Sequence, residues 1–385
     1  MTRIVLPLIT LVLCLLSIGM DWMPPRIDSP VCRLGLCRSD QLIRDVRERD
    51  AGPQALGEML IQDAASPEAW CSFAERQGLL GNTAKAVFAF DHARAAGPNL
   101  APPWMRAANY DFGHQRRAQG VVLARRILSI TGAFDQVLFS YLTAINQSTT
   151  TLLDTALPAR ADAALSWRQW AETNGDDRSL QETWSWFQEH RLANAAGAEG
   201  IVTALWNRRN YQAASQVWRN WRGEESGSKA NLIENGNFSA APAQVPMDWK
   251  LEGSTGVVIK RDDGLDIQFQ GTENVTRVGL SQRVAILPGR YRLAAHLLAE
   301  DITTDEGVYW QVYDAENSIR LSVTGKPIRG TLDKSWMYLD FTAPRGTRAV
   351  EVAMYRRPSL RFDNKLGGRL HLFEVSLTRS SAGEE

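Results

Sequence analysis

Tyr291-Arg-Leu-Ala-Ala-His296, Val308-Tyr-Trp-Gln-Val-Tyr313, Trp336-Met-Tyr-Leu-Asp-Phe341 and Leu370-His-Leu-Phe-Glu-Val-Ser-Leu377 decide the fold of the second half of this chain. In each, apolar and polar side chains alternate, the period of a strand with one face buried. Val257-Val-Ile-Lys260, Leu265-Asp-Ile-Gln-Phe269 and Ala349-Val-Glu-Val-Ala-Met-Tyr355 repeat the pattern. Turn signals separate the runs, among them Leu287-Pro-Gly289, Gly325-Lys-Pro327 and Ala343-Pro-Arg-Gly346. Seven or more short strands in about 150 residues imply an antiparallel β-sandwich or jelly roll over 231–380, with a short tail at 381–385.

Upstream, the pattern changes. Gly223-Glu-Glu-Ser-Gly-Ser-Lys-Ala230 is polar and Gly/Ser-rich, a flexible linker. Residues 40–222 are rich in Ala, Leu, Arg, Gln and Glu and read as helices throughout. Trp70 and Trp104 recur across one such interval. Within it, Glu68-Ala-Trp70 opens a helix, Gly78-Leu-Leu-Gly-Asn82 turns, Ala84-Lys-Ala86 opens a second helix, and Pro98 breaks the chain. This arrangement resembles a tetratricopeptide repeat of about 34 residues. Ala74 stands where that repeat usually has Gly and Gln77 where it usually has an aromatic, so one repeat is well formed and the others degenerate. Ile201–Trp206, a turn at Asn207–Asn210 and Tyr211–Trp218 make another helix pair. Trp167, Trp170, Trp184, Trp186 and Phe187 recur at helical spacing and are expected as repeat core.

The chain of 385 residues has 43 basic and 43 acidic side chains, and this balance argues against nucleic acid as a partner. Met1-Thr-Arg3 precedes an apolar run from Ile4 to Met20, a positively charged start and hydrophobic segment of the export type. Residues 1–22 are therefore expected as a signal peptide, with Ser17-Ile18-Gly19 as a cleavage site, or as a single membrane anchor facing the bacterial periplasm. Residues 23–39 form a linker in which Cys32 and Cys37 are candidates for a short-loop disulfide. Cys71, on an Ala- and aromatic-rich helix, is expected as a buried apolar residue.

Asn231-Leu-Ile-Glu-Asn-Gly-Asn-Phe238, Pro246-Met-Asp-Trp249, Gln282-Arg-Val284, Pro288-Gly-Arg-Tyr-Arg-Leu293, Phe341-Thr-Ala-Pro344 and Leu372-Phe-Glu-Val-Ser-Leu377 follow one another in order. The block resembles the carbohydrate-binding modules attached to xylanases and glucanases, over about 231–379, and the resemblance implies a galactose-binding-like jelly roll. It also implies polysaccharide as a ligand and core positions for Trp249, Trp310 and Trp336. The only cofactor it raises is a structural calcium near Asn235 and Glu374; Glu374 stands where the family has Asp. By alternation, Trp310 shares a face with Val308 and Val312, which leaves Tyr309, Gln311 and Tyr313 on the other.

The candidate ligand site is the segment Arg356-Arg-Pro-Ser-Leu-Arg-Phe-Asp-Asn-Lys-Leu-Gly-Gly368, with Tyr309 and Tyr313. Arg356, Arg357, Arg361 and Lys365 supply cations and Asp363 and Asn364 a polar pair, a set suited to bonding sugar hydroxyls or carboxylates. The alternative is a solvated loop in which Asn364 and Gly367-Gly368 merely satisfy turn geometry. No nucleophile motif, phosphate loop, dinucleotide fingerprint or zinc signature occurs, and catalytic residues are not expected. The sequence thus predicts a non-catalytic exported protein that binds polysaccharide through its sandwich and a protein through its repeats, in exopolysaccharide or envelope-glycan assembly. Its rivals are a protein-only scaffold and a cryptic glycan-active enzyme.

Overall fold

The computed structural model describes residues 56–57, 60–61, 63–145, 147–223 and 231–380. The apolar run 4–20, the Cys32–Cys37 pair, linker residues 224–230 and the tail lie outside them. Among the described residues no helix is long and apolar enough to cross a membrane. Cys71 is buried, as expected.

Among the described residues the helices from Pro67 onward, all preceding the strands, are α1 Pro67–Leu79, α2 Thr83–Ala96, α3 Ala101–Gly113, α4 Arg117–Ile130, α5 Asp135–Thr143, α6 Thr149–Ala156, α7 Ala161–Asn174, α8 Asp177–Glu189, α9 Ala195–Asn207 and α10 Tyr211–Arg222. Their starts carry the repeat. Helices α1, α3 and α5 begin at 67, 101 and 135, α7 and α9 at 161 and 195, and α8 and α10 at 177 and 211, so 34 residues separate successive members. Only the third pair, α5 with α6, is short, and it offsets the two blocks. Among the described residues α1 to α10 follow one another as helix pairs, in keeping with a helical repeat.

Caps explain many of the boundaries. The side chains of Ser66, Ser148, Asp176, Asn194 and Asn210 each accept from a backbone N–H three residues on, satisfying a donor that the first turn leaves open. Tight packing within pairs depends on small residues: Ala69, Ala74, Ala86, Ala89, Ala93 and Ala108 are fully or almost fully buried. Trp167, Trp170, Trp184, Trp186 and Phe187 are core, as expected.

The chain divides into two compact units, 1–167 and 168–385. In the first, Arg106 of α3 reaches back to α1, donating to Glu68 (2.9 Å), Glu75 (2.6 and 2.5 Å) and Ser72 (3.2 Å). The Phe139 and Trp167 rings meet edge to face, centroids 5.1 Å apart. The division falls inside α7, and within the second unit α10 touches the sandwich. Tyr211 Oη donates to Glu316 (2.9 Å), Gln212 Nε2 donates to Ile286 O (3.2 Å), and Arg219 lies 3.8 Å from Glu234.

The strands are β1 Lys250–Leu251, β2 Val257–Arg261, β3 Leu265–Gln270, β4 Arg277–Ala285, β5 Gly289–Ile302, β6 Val308–Asp314, β7 Ser322–Thr324, β8 Gly330–Ala343, β9 Ala349–Arg356 and β10 Gly367–Arg379. They form two five-stranded sheets, β1-β4-β9-β6-β7 and β2-β3-β10-β5-β8, with every pairing antiparallel. Between them lies one apolar core that includes Trp249, Trp310, Phe269, Phe341, Leu293 and Leu377. The sandwich fold is therefore as the alternation predicts.

The Asn231–Phe238 motif locks the start of the sandwich to its last strand. Asn231 Oδ1 accepts from Ile233 N (2.9 Å) and Leu377 N (2.9 Å), while its Nδ2 donates to Val375 O (3.2 Å). Gly236 is required by close approach: a Cβ there would overlap Val375 O.

Candidate functional site

The outer face of the second sheet carries a row of aromatic rings. Trp336 on β8 is opposite His296 on β5, and His296 is opposite Glu374 on β10. The Trp336 and His296 rings are stacked, centroids 4.7 Å apart and planes 10° from parallel. His296 is 5.2 Å from Phe373, and Phe373 is 4.4 Å from His371. Tyr338, two residues along β8, lies with its ring 14° from the Trp336 plane at 6.5 Å.

A bulge makes this row possible. The β10–β5 register shifts between Leu372 and Glu374. Leu370 and Leu372 therefore point to the core before it, Val375 and Leu377 after it, and both Phe373 and Glu374 avoid the core. Trp336 is 41% exposed and Tyr338 59%. The core position expected for Trp336 is thus wrong, although those for Trp249 and Trp310 hold. In β8 it is Met337, Leu339 and Phe341 that face inward, so Trp336 shares the outer side with Lys334, Tyr338 and Asp340.

Charged groups surround the rings. Lys334 Nζ sits 3.7 Å from the Phe373 ring centre, and the Arg292 guanidinium lies 5.4 Å from that of Tyr338. Arg292 grips Asp340 with two hydrogen bonds of 2.7 and 3.0 Å, which hold the Asp340 carboxyl below its ordinary range. Arg369 donates to Asp266 (2.5 Å). This surface offers ring faces for the apolar face of a pyranose and flanking carboxylates, imidazoles and cations for its hydroxyls.

The residues singled out by the sequence divide into several groups. Arg356 is not available to a ligand: it is 2% exposed, and its guanidinium donates to Glu306 O (2.6 Å), Asn274 Oδ1 (2.7 Å), Val275 O (2.9 Å), Thr304 Oγ1 (2.9 Å) and Asn364 O (3.2 Å). It ends β9 in step with Val352 and Met354, which face the core. Burial pulls its pKa down. Arg357, Arg361, Asp363 and Lys365 are exposed, and Arg361 lies 3.0 Å from Asp305. Asn364 is half-buried, with its carbonyl held by Arg356.

Tyr309 and Tyr313 belong to β6, in the first sheet, and do not join the ring row. Tyr313 Oη is 3.4 Å from Tyr355 Oη, and burial, then Tyr355 and Glu351, pushes its phenol well above the ordinary value. The proposed calcium ligands are differently employed. Asn235 Nδ2 donates to Ala240 O (2.8 Å) and its Oδ1 accepts from Ala240 N (3.1 Å), while Glu374 stands on the outer face beside His296. Among the described residues no cluster of three or more His, Cys, Asp or Glu side chains has the geometry to hold a metal.

No family model matches the chain, and no curated protein matches it. Solved structures do. TmCBM61 in complex with β-1,4-galactotriose is 14% identical, covering 39% of this chain and 99% of its own, with a TM-score of 0.28. A family 16 carbohydrate-binding module is 21% identical over 39% of this chain and 100% of its own, TM-score 0.27. YrrB, a tetratricopeptide protein with an unusual peptide-binding site, is 11% identical over 45% of this chain and 93% of its own, TM-score 0.25. The assignment of a helical repeat and a jelly-roll sandwich rests on the helix spacing and the two sheets themselves.

Proposed function

We propose that the sandwich is a polysaccharide-binding module and that its glycan lies along the ring row of the second sheet. Trp336 carries this proposal: a large indole, held by a stacked imidazole and left open to water, gains little for folding and much for a ligand that stacks on it. Phe373 and Tyr338 lengthen the platform beyond one ring, which suits a chain of sugars better than a single residue. Glu374, His371 and the Arg292–Asp340 pair stand where hydroxyls of a stacked sugar need partners.

The helical pairs would engage a protein partner. The N-terminal apolar run would export the chain and either anchor it in the inner membrane facing the periplasm or be cleaved to release it. The process served is then exopolysaccharide or envelope-glycan assembly, and the role is binding without catalysis. A glycan array probed with the full chain and with Trp336→Ala tests this. Retention of one polysaccharide class by the parent and its loss in the variant supports the module. No binding across neutral and acidic glycans by a folded chain rejects it and leaves the protein-only scaffold. Release of new reducing ends from a bound glycan would instead favour the cryptic enzyme.

A further inference from the structure

Between β8, the outermost strand of one sheet, and the end of β7, the outermost of the other, lies a narrow slot. Leu293 and Ala295 of β5, Met337 and Leu339 of β8 and Trp310 of β6 line it, all of them inward-facing residues of their strands. Gly325 follows β7 and completes the wall. Its N–H donates to Trp310 O (2.7 Å), and a Cβ on it would stand 3.3 Å from Trp310 O and 3.9 Å from Leu339 Cδ2. The glycine thus leaves open a space that a side chain would take. That space is about 10 Å³, room for one small group and none for a sugar ring. Trp310 is 4% exposed, and its Nε1–H finds no acceptor among the described residues. Tyr338, a ring of the proposed glycan platform, lines the same slot, with exposed Lys326 beside it.

The chemistry of the slot narrows what it takes. A buried N–H without an acceptor is costly, so the indole favours an occupant that brings one. Water is a poor occupant, because it needs two or more polar partners and the side chains of Leu293, Ala295, Met337 and Leu339 offer none. An alkyl group would leave the N–H unmet, and a hydroxyl would bring a donor of its own to apolar walls. A carboxylate would lose its hydration against them. An acetyl group meets both demands: its carbonyl accepts and donates nothing, and its methyl suits the walls. We propose that this slot receives an acetyl substituent of the glycan, ester or amide, whose carbonyl takes the Trp310 Nε1–H while the sugar that bears it stacks at Tyr338. The proposal rests on the ring-row reading and makes acetylation the feature by which the site chooses among glycans.

The test uses the full chain, labelled with nitrogen-15 at its indoles, and paired probes. One pair is O-acetylated glucomannan and the same polymer stripped by mild alkali; the other is chitohexaose and its fully de-N-acetylated form. The expected result is that the acetylated member of one pair binds about tenfold tighter than its stripped twin, the scale of one buried methyl and one hydrogen bond. It should also move the Trp310 indole N–H resonance downfield, a signal identified by its absence in Trp310→Phe. Which pair responds tells ester from amide. Gly325→Val, which fills the slot, and Trp310→Phe, which removes the N–H, should each bring the acetylated form down to the affinity of the stripped one, with melting curves confirming that both variants fold. Equal affinity for the twins, with Trp336→Ala still weakening both, overturns the slot and leaves the ring row standing. A preference for the acetylated twin that survives Gly325→Val, with the Trp310 signal unmoved, places the acetyl group elsewhere and overturns the slot equally. No binding of any probe by the folded chain overturns the slot and the ring row together.

Discussion

Trp336 and His296 face each other across the β5–β8 ladder with their rings 4.7 Å apart and nearly parallel. The imidazole fixes the indole from one side and leaves 41% of the Trp336 residue surface to water. His296→Ala should therefore loosen the platform without unfolding it. We expect glycan affinity to fall about fivefold, ~1 kcal/mol, the scale of one aromatic contact, with an unchanged thermal midpoint. Titration calorimetry beside thermal melting separates the two effects; a lowered midpoint with unchanged affinity would count against it.

Arg356 is a structural residue, and its loss should appear in stability. Arg356→Met keeps much of the volume but strands the carbonyls of Glu306, Val275 and Asn364 that now accept from the guanidinium. The cost should be about 3 kcal/mol, as for other buried charged hydrogen-bonding groups, read as a lower urea midpoint. Trypsin should also cut faster after Arg357 and Arg361 as the loop loosens.

Asn231 closes the sandwich by joining its first residues to β10. Asn231→Ala removes three hydrogen bonds at once and should cost about 2–3 kcal/mol. Amide exchange should quicken at Leu377 and Ile233 first. Unchanged protection at Leu377 would mean that β10 holds the segment without the asparagine.

Asp135 in the first unit has one carboxylate oxygen without a partner, and burial raises its pKa against the opposing Ser166 hydrogen bond. A carboxyl raised in the folded state contributes fully below the unfolded value, near 3.9, and loses that contribution as pH rises through the folded pKa. Asp135→Asn cannot ionise. Its stability relative to the parent should therefore increase from acid pH towards neutrality and then level off. Melting curves across that range check this, and a difference independent of pH would contradict it.

Much of this was written in the sequence, some of it unread. Alternation in Trp336-Met-Tyr-Leu-Asp-Phe341 already sides Trp336 with Tyr338 and Asp340 and assigns the core to Met337, Leu339 and Phe341. The family likeness pointed the other way, and local periodicity was the better guide. The same parity sets Arg356 with Val352 and Met354, facing inward. In Leu370–Leu377 the apolar positions change from even to odd, which marks the bulge that brings Phe373 and Glu374 out together. The pairing of Trp336 with His296 was not legible, because it depends on the register between strands some 40 residues apart in sequence. Nor were the contacts of Tyr211, Gln212 and Arg219 with the sandwich, whose partners Glu316 and Ile286 lie far away in sequence.

The two sheets offer competing aromatic faces, Trp336 and Tyr338 on one and Tyr309 and Tyr313 on the other. Affinity electrophoresis of the full chain through gels containing the polysaccharide it binds compares them directly, using Trp336→Ala and Tyr313→Ala side by side. The second-sheet platform predicts that Trp336→Ala runs unretarded, with affinity down about tenfold or more, while Tyr313→Ala is retarded like the parent. Retardation of Trp336→Ala equal to the parent's would contradict it.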